Sequence, residues 1–260
     1  MEVQEAIGTR RTCRYLLPHK PVEREKIQKM LEAARIASHW GNVQALKAVV
    51  VERATASQAV LESLMAPVAG FQVEQSPVVI VWWMDYAAID DQANRLRELV
   101  KARVMGVDLE KASNALESFL IPFFDNIRPM MKASGLTELD CGQGIAQATL
   151  VAVDLGLGTA CLGSAKEVEI KENLHLPETA KVLVLQCVGY SAESIEAGGQ
   201  RPRLPFESLF SLNEVGAAFP RSEEVVSELE EARMFQTPAP LPWRQEELEY
   251  LQKGLDLPDF

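Results

Sequence analysis

AIGTRRTCRYLL, residues 6–17, sets Arg10, Arg11 and Arg14 and the hydroxyl of Thr12 into five consecutive positions of a chain whose formal net charge is −11. A local excess of guanidinium in an acidic protein has two readings. One is a solvated basic cluster just after a short helix. The other is a site for a phosphate monoester, which guanidinium forks bind through charge-assisted hydrogen bonds. Almost the whole chain away, QRPRLP at residues 200–205 places Arg201 and Arg203 around a proline, so a second basic pair is available to close on the same anion.

The composition bounds what surrounds that stretch. With 260 residues, 47% of them hydrophobic, the chain has material for a sizeable core, and one large domain or one domain with an extension is expected. No apolar run approaches the roughly 20 residues needed to span a bilayer. The N-terminus is polar and acidic, unlike a basic-then-apolar signal segment, so no membrane partner and a cytoplasmic location are expected. Cys13, Cys141, Cys161 and Cys187 are widely spaced without a CxxC pair, and the chain has only three histidines, so free thiols are expected, without a metal site. Two short basic clusters do not form the extended basic surface that nucleic acid requires, which argues against a nucleic-acid partner.

From Val22 the pattern turns helical, with Ile27, Met30, Leu31 and Ala34 on one face, Pro21 before it and Gly41 beyond it. KAVVVE at 47–52 reads as a short strand and 52–69 as a helix. PVVIVWW at 77–83 is the clearest buried strand, apolar on both faces, which predicts a sheet covered on both sides. Residues 91–133 have helical spacing and carry Phe119, Phe123, Phe124, Met130 and Met131, a set that reads either as helix core or as a substrate pocket. A long helix of small residues is predicted over 137–155, with Ile145, Ala148, Ala152 and Leu155 free for close packing and Gly156 and Gly158 at its end.

GLGTACLGS, 156–164, reads as a turn and an extended segment that brings backbone amides close to a flat ligand. Its glycines follow a helix, the wrong context for a dinucleotide-binding fingerprint. A short helix at 166–174, a strand at 181–190, an acidic helix at 222–233, a proline-rich spacer at 237–243 and a last segment with Leu248, Tyr250, Leu251 and Leu255 complete the chain. A short apolar-faced helix behind such a spacer needs a surface, its own subunit's or a partner's.

Four separated segments together resemble the FMN-dependent nitroreductase family. They are AIGTRRTCRYLL, VEREKIQKMLEAARIASHWGNVQ, DLGLGTACLGS and QRPRLP. The resemblance implies an α+β fold, a mainly antiparallel central sheet flanked by helices, forming a homodimer with FMN at the subunit interface. It places an FMN-binding domain over 1–210 and a C-terminal extension over 211–260. It also implies that Arg10, Thr12, Arg14, Arg201 and Arg203 bind the phosphate and ribityl oxygens, with Arg11 acting mainly through its backbone. Ser38, His39, Trp40 and Asn42 would line the flavin, often from the opposite subunit, and Leu162, Gly163 and Ser164 would face its N5. His39 and Trp40 stand where the family has small residues, and Ala45 and Leu46 where it has Pro and Trp. The implied activity is a ping-pong oxidoreduction with NADH or NADPH as donor and a nitroaromatic, quinone or similar small electron-poor acceptor. A specialised member is the alternative, such as a reductive dehalogenase, an enoate or heterocycle oxidoreductase, or a flavin-fragmenting enzyme. A flavin-binding carrier without turnover is the other.

Overall fold

Short β-branched runs become strands and the 3.6-periodic stretches become helices. In chain order these are α1 (Val3–Thr9), α2 (Arg24–Arg35), β1 (Leu46–Glu52), α3 (Gln58–Ser63), α4 (Gly70–Gln75), β2 (Val78–Asp85), α5 (Ala87–Asp90), α6 (Gln92–Lys101), α7 (Leu109–Ala115), α8 (Ile121–Ala133), α9 (Leu136–Asp154), β3 (Gly158–Leu162), α10 (Glu167–Asn173), β4 (Ala180–Gly189), α11 (Phe206–Leu209), α12 (Glu223–Glu231) and α13 (Gln245–Gly254). The structure, a computed structural model, describes residues 1–66, 68, 70–194, 197, 199–238 and 244–256.

The four strands form one antiparallel sheet in the order β1-β2-β4-β3. The fold is α+β. Because strand side chains alternate between faces, β2 feeds two cores at once. Val79 and Val81 pack with Val51, Leu185 and Cys187, and with Leu64, Val73 and Ile170 from the helical side. On the opposite face Val78, Ile80 and Trp82 meet Ile27, Met30 and Ala34 of α2 and Ala148 and Ala152 of α9. The small residues of α9 thus serve close packing, as their spacing predicts. A polar chain crosses this second core. Trp82 Nε1 donates to Gln186 Oε1 at 2.8 Å, Gln186 Nε2 to Thr149 Oγ1 at 2.9 Å, and Thr149 Oγ1 to the Ile145 carbonyl at 2.8 Å.

α9 ends at Asp154, and the chain reverses through Gly156, whose φ of 74° lies in the left-handed region that glycine adopts without strain. That turn starts β3, so the extended segment read at 156–164 is a paired strand. Two expectations change. The helix expected over 52–69 does not start at 52, because residues 53–56 form a turn and Ser57 Oγ caps α3 by accepting the Val60 N–H at 3.3 Å. Pro67 and Ala69 lie outside the described residues. The helical stretch of 91–133 is divided among α6, α7, a π-helical turn at Leu116–Leu120 and α8. Its large side chains are divided too: Met131 is buried, whereas Phe119, Phe123 and Met130 are exposed. Of the spacer expected over 237–243, residues 239–243 lie outside the described residues. Among the described residues no helix is long and apolar enough to cross a membrane.

Candidate functional site

The basic stretch leaves α1 in extended conformation and lies along the outer edge of β3. Thr12 forms a parallel bridge with Thr159, and the Cys13 N–H donates to the Thr159 carbonyl at 2.9 Å. It is also stitched to the end of β4, through Leu17 N–H to the Tyr190 carbonyl at 2.8 Å and Ala192 N–H to the Tyr15 carbonyl at 2.9 Å. Burial pushes the Cys13 thiol up to about 12, so it stays protonated and donates to Ser191 Oγ at 3.1 Å. This anchoring fixes the backbone from which Arg10, Arg11 and Arg14 project.

The three arginines are half-buried and Thr12 is exposed. Arg11 turns its side chain onto the protein, donating from Nη1 to the Ala197 carbonyl at 3.0 Å and from Nε to the Thr9 carbonyl at 3.3 Å. Arg10 lies near Cys161 of β3. Cys161 itself is exposed, but the protein packed around it raises its thiol, and the Arg10 charge draws it back. The same strand runs into Leu162, Gly163 and Ser164, and Ser164 Oγ is buried without a hydrogen-bond partner among the described residues. Arg201 and Arg203 are exposed. Arg203 Nη1 donates to the Arg201 and Pro202 carbonyls at 3.4 and 3.1 Å, and neither arginine hydrogen-bonds the basic stretch among the described residues. The link from Arg11 to Ala197 nevertheless leaves Arg201 only four residues along the chain from that stretch.

Ser38, His39, Trp40 and Asn42 belong to a different face. Trp40–Asn42 is a single 3-10 turn after α2, with Gly41, Asn42 and then Gln44 all at positive φ, 55°, 56° and 54°. The positive φ of Gly41 strains any other residue, and a Cβ there would also push aside the Gln92 side-chain amide. The turn is held from α9: the Trp40 N–H donates to the buried Asp140 carboxylate at 2.6 Å. The Trp40 ring meets Phe124 of α8 edge-on at 5.1 Å. His39 Nδ1 lies 2.9 Å from the Ala37 carbonyl, and its Nε2 is buried without a partner among the described residues. His39 lines a cavity of about 610 Å³ with Arg35, Gln44 and Asp91. Arg10 and Arg11 line another of about 370 Å³ with Cys13, Tyr190 and Ser191, and the two share no lining residue. One chain therefore assembles the basic stretch with the glycine-rich strand and leaves the 38–42 turn elsewhere.

Asp140 was not singled out by any sequence pattern, because its partner is 100 positions away. Asp140→Ala is expected to cost about 1.5–3 kcal/mol, the usual worth of a hydrogen bond to a charged acceptor, and Asp140→Asn, which retains an acceptor oxygen, less. Urea denaturation of the two variants beside the parent chain measures both; equal midpoints for all three would contradict the pinning role.

Comparison with known proteins bears on this arrangement. Residues 7–190 match the model of the Nitroreductase family. A Thermus thermophilus protein named NADH dehydrogenase is 29% identical over 188 residues, covering 72% of this chain and 84% of the relative. An NADPH-dependent oxidoreductase of Staphylococcus haemolyticus is 25% identical over 214 residues, 82% of this chain and 74% of its own. Among solved structures, an Exiguobacterium sibiricum protein described as a nitroreductase in complex with FMN is similar with a TM-score of 0.69 at 22% identity, over 82% of this chain and 98% of that one.

Proposed function

The chain belongs to the nitroreductase family, and from that premise we propose that it is an FMN-dependent NAD(P)H oxidoreductase, working as a homodimer on a small electron-poor acceptor such as a quinone or nitroaromatic. The observation that carries this reading is the fastening of the basic stretch along β3, through Thr12 and Thr159, beside the strand that ends in Leu162, Gly163 and Ser164. When bound, FMN supplies a two-electron carrier that takes hydride from the nicotinamide donor and yields it to the acceptor.

The residues fit such a group on two counts. Arg24, Arg35, Arg95, Arg97, Arg128, Arg233 and Arg244 each hold a carboxylate. Among the described residues Arg10, Arg201 and Arg203 hold none, as is true of Arg53, Arg103 and Arg221 elsewhere, and Arg14 has Glu193 nearby without an ion pair, so the basic stretch keeps charge for a phosphate dianion. Ser164 Oγ is the second, a buried hydroxyl whose partner a ligand atom would supply.

Arg10, Thr12 and Arg14 bind the phosphate and ribityl oxygens, with Arg201 and Arg203 closing from the C-terminal side. Arg11, its side chain committed to protein carbonyls, contributes its backbone. Leu162, Gly163 and Ser164 present backbone donors to the ring, where hydrogen bonds stabilise developing negative charge. The 38–42 turn reaches this site from a second copy: Ser38, His39, Trp40 and Asn42 flank the flavin, and Trp40 with Phe124 gives the acceptor an aromatic wall. The chain's contribution is orientation and electrostatics, so no side chain is assigned a proton-transfer role.

Purified protein should be yellow or bind added FMN, sediment as a dimer, and have its flavin bleached anaerobically by NADH or NADPH and recoloured by a quinone. Protein that takes up no FMN would refute the reading. Flavin that is reduced but passes electrons to no acceptor would make the chain a carrier.

A further inference from the structure

The C-terminal helix packs on the loop that holds the basic stretch in place. On α13, Leu251 is buried and Leu248 and Leu255 half-buried, while Tyr250 is exposed. Its first turn grips loop 191–194: the Ser194 N–H donates to Glu247 Oε1 at 2.8 Å, and Arg244 Nε donates to Glu247 Oε2 at 2.9 Å. The Arg244 side chain is only 11% exposed. Further along α13, Gln252 hydrogen-bonds the Tyr15 hydroxyl.

The other side of the same loop holds the arginine segment. Ala192 N–H donates to the Tyr15 carbonyl at 2.9 Å and Cys13 Sγ to Ser191 Oγ at 3.1 Å. Ser191 Oγ in turn donates to the Glu193 carbonyl at 3.0 Å and accepts the Glu193 N–H at 3.1 Å. The Glu193 carboxylate, between Arg244 and Arg14, accepts the Arg14 backbone N–H; its burial raises it, and these positive neighbours draw it back against Glu247. Loop 191–194 is thus clamped between α13 and residues 11–17.

We infer that Arg244 and Glu247 are positioning residues for the cofactor: Glu247, oriented by Arg244, fixes loop 191–194, and the loop fixes the backbone from which Arg11 and Arg14 act. This rests on the FMN reading above. A phosphate clamp gains affinity when its donors are held in the bound geometry beforehand, because the ordering cost is then met by folding and not by the ligand. A side chain that touches no ligand therefore acts on affinity through the backbone it holds.

The test compares the full chain with Arg244→Ala, Glu247→Ala and Arg244→Lys. Fluorescence titration with FMN, well below the melting temperatures, should show dissociation constants raised about tenfold in both alanine variants, the worth of one hydrogen bond in the clamp. Arg244→Lys, which keeps the charge opposite Glu247 and Glu193, should recover most of the loss. Amide hydrogen exchange on cofactor-free protein should speed up at Cys13, Leu17 and Ala192 and stay unchanged at Ile80 in the central strand. Lowered melting temperature with an unchanged FMN dissociation constant would reduce α13 to a stabilising tail and overturn the inference. Should the full chain bind no FMN, the functional reading falls, while unchanged exchange at Cys13, Leu17 and Ala192 would separately overturn the positioning role.

Discussion

Arg10→Ala is expected to weaken FMN binding by about 1.5–3 kcal/mol, ten- to a hundredfold and more, for each charged hydrogen bond it removes. The Arg10, Arg14 double replacement should leave no flavin bound at micromolar concentrations. The size of the effect follows from the surroundings. The chain carries a net charge of −11, so a phosphate dianion approaches an unfavourable field that the basic stretch must overcome locally. Arg10 and Arg14 are half-buried on a backbone tied to Thr159 and Tyr190, which limits the rotamer freedom lost on binding. Arg24→Ala is the control. That arginine pairs with Glu52 at 2.7 Å on the exposed surface, and its loss should leave FMN affinity unchanged and stability close to that of the parent chain. Titration in 50 mM and 500 mM salt adds a second reading, since the Arg10 and Arg14 contribution is charge-assisted and must shrink as salt screens it. If Arg10→Ala and Arg203→Ala both bind FMN like the parent chain, the clamp assignment is wrong.

How much of this was legible beforehand differs by element, and the difference is physical. β2 could be read because burial on both faces demands an unbroken apolar run, and only a central strand of a covered sheet makes that demand. α9 could be read from its small residues, which are what close approach to the sheet and to α2 requires. The helix over 52–69 was misplaced because its apolar spacing continues through a turn, and the helix start is set by one capping hydroxyl, Ser57. The exposed Phe119 and Phe123 could not be resolved from spacing, since periodicity shows that a face exists and not what covers it. They stack on each other at 6.3 Å and continue through Phe124 to Trp40. At the site, the basic stretch and the glycine-rich strand each announce themselves by local composition. The attachment of the 40–42 turn to Asp140 does not, because it depends on a residue a hundred positions away. The grip of α13 on loop 191–194 is equally nonlocal.

Trp82→Ala is the substitution expected to cost the fold most. Deleting a fully buried tryptophan removes about 3–5 kcal/mol through lost transfer energy and the cavity left behind, and here it also strands Gln186 Oε1 in a core from which water is excluded. An orphaned buried acceptor adds about 1–3 kcal/mol, and the two together rival the whole stability of a typical domain, roughly 5–15 kcal/mol. The contributions are separable. Trp82→Phe keeps most of the ring volume and loses the donor, so it isolates the orphaned acceptor. Trp82→Phe with Gln186→Leu removes both partners and should be more stable than the single Phe variant, because Thr149 Oγ1 retains its bond to the Ile145 carbonyl. The position of Gln186 extends the consequence to the site. It stands in register with Cys161 of β3 on one side and Ile80 of β2 on the other, and reaches Thr149 of α9. The network therefore ties β4, the strand on which β3 is paired, to α9 behind it. Chemical denaturation of the four chains, with FMN titration of those that fold, measures both effects. A double variant less stable than Trp82→Phe would show that Gln186 acts through packing and not as the partner of the Trp82 indole.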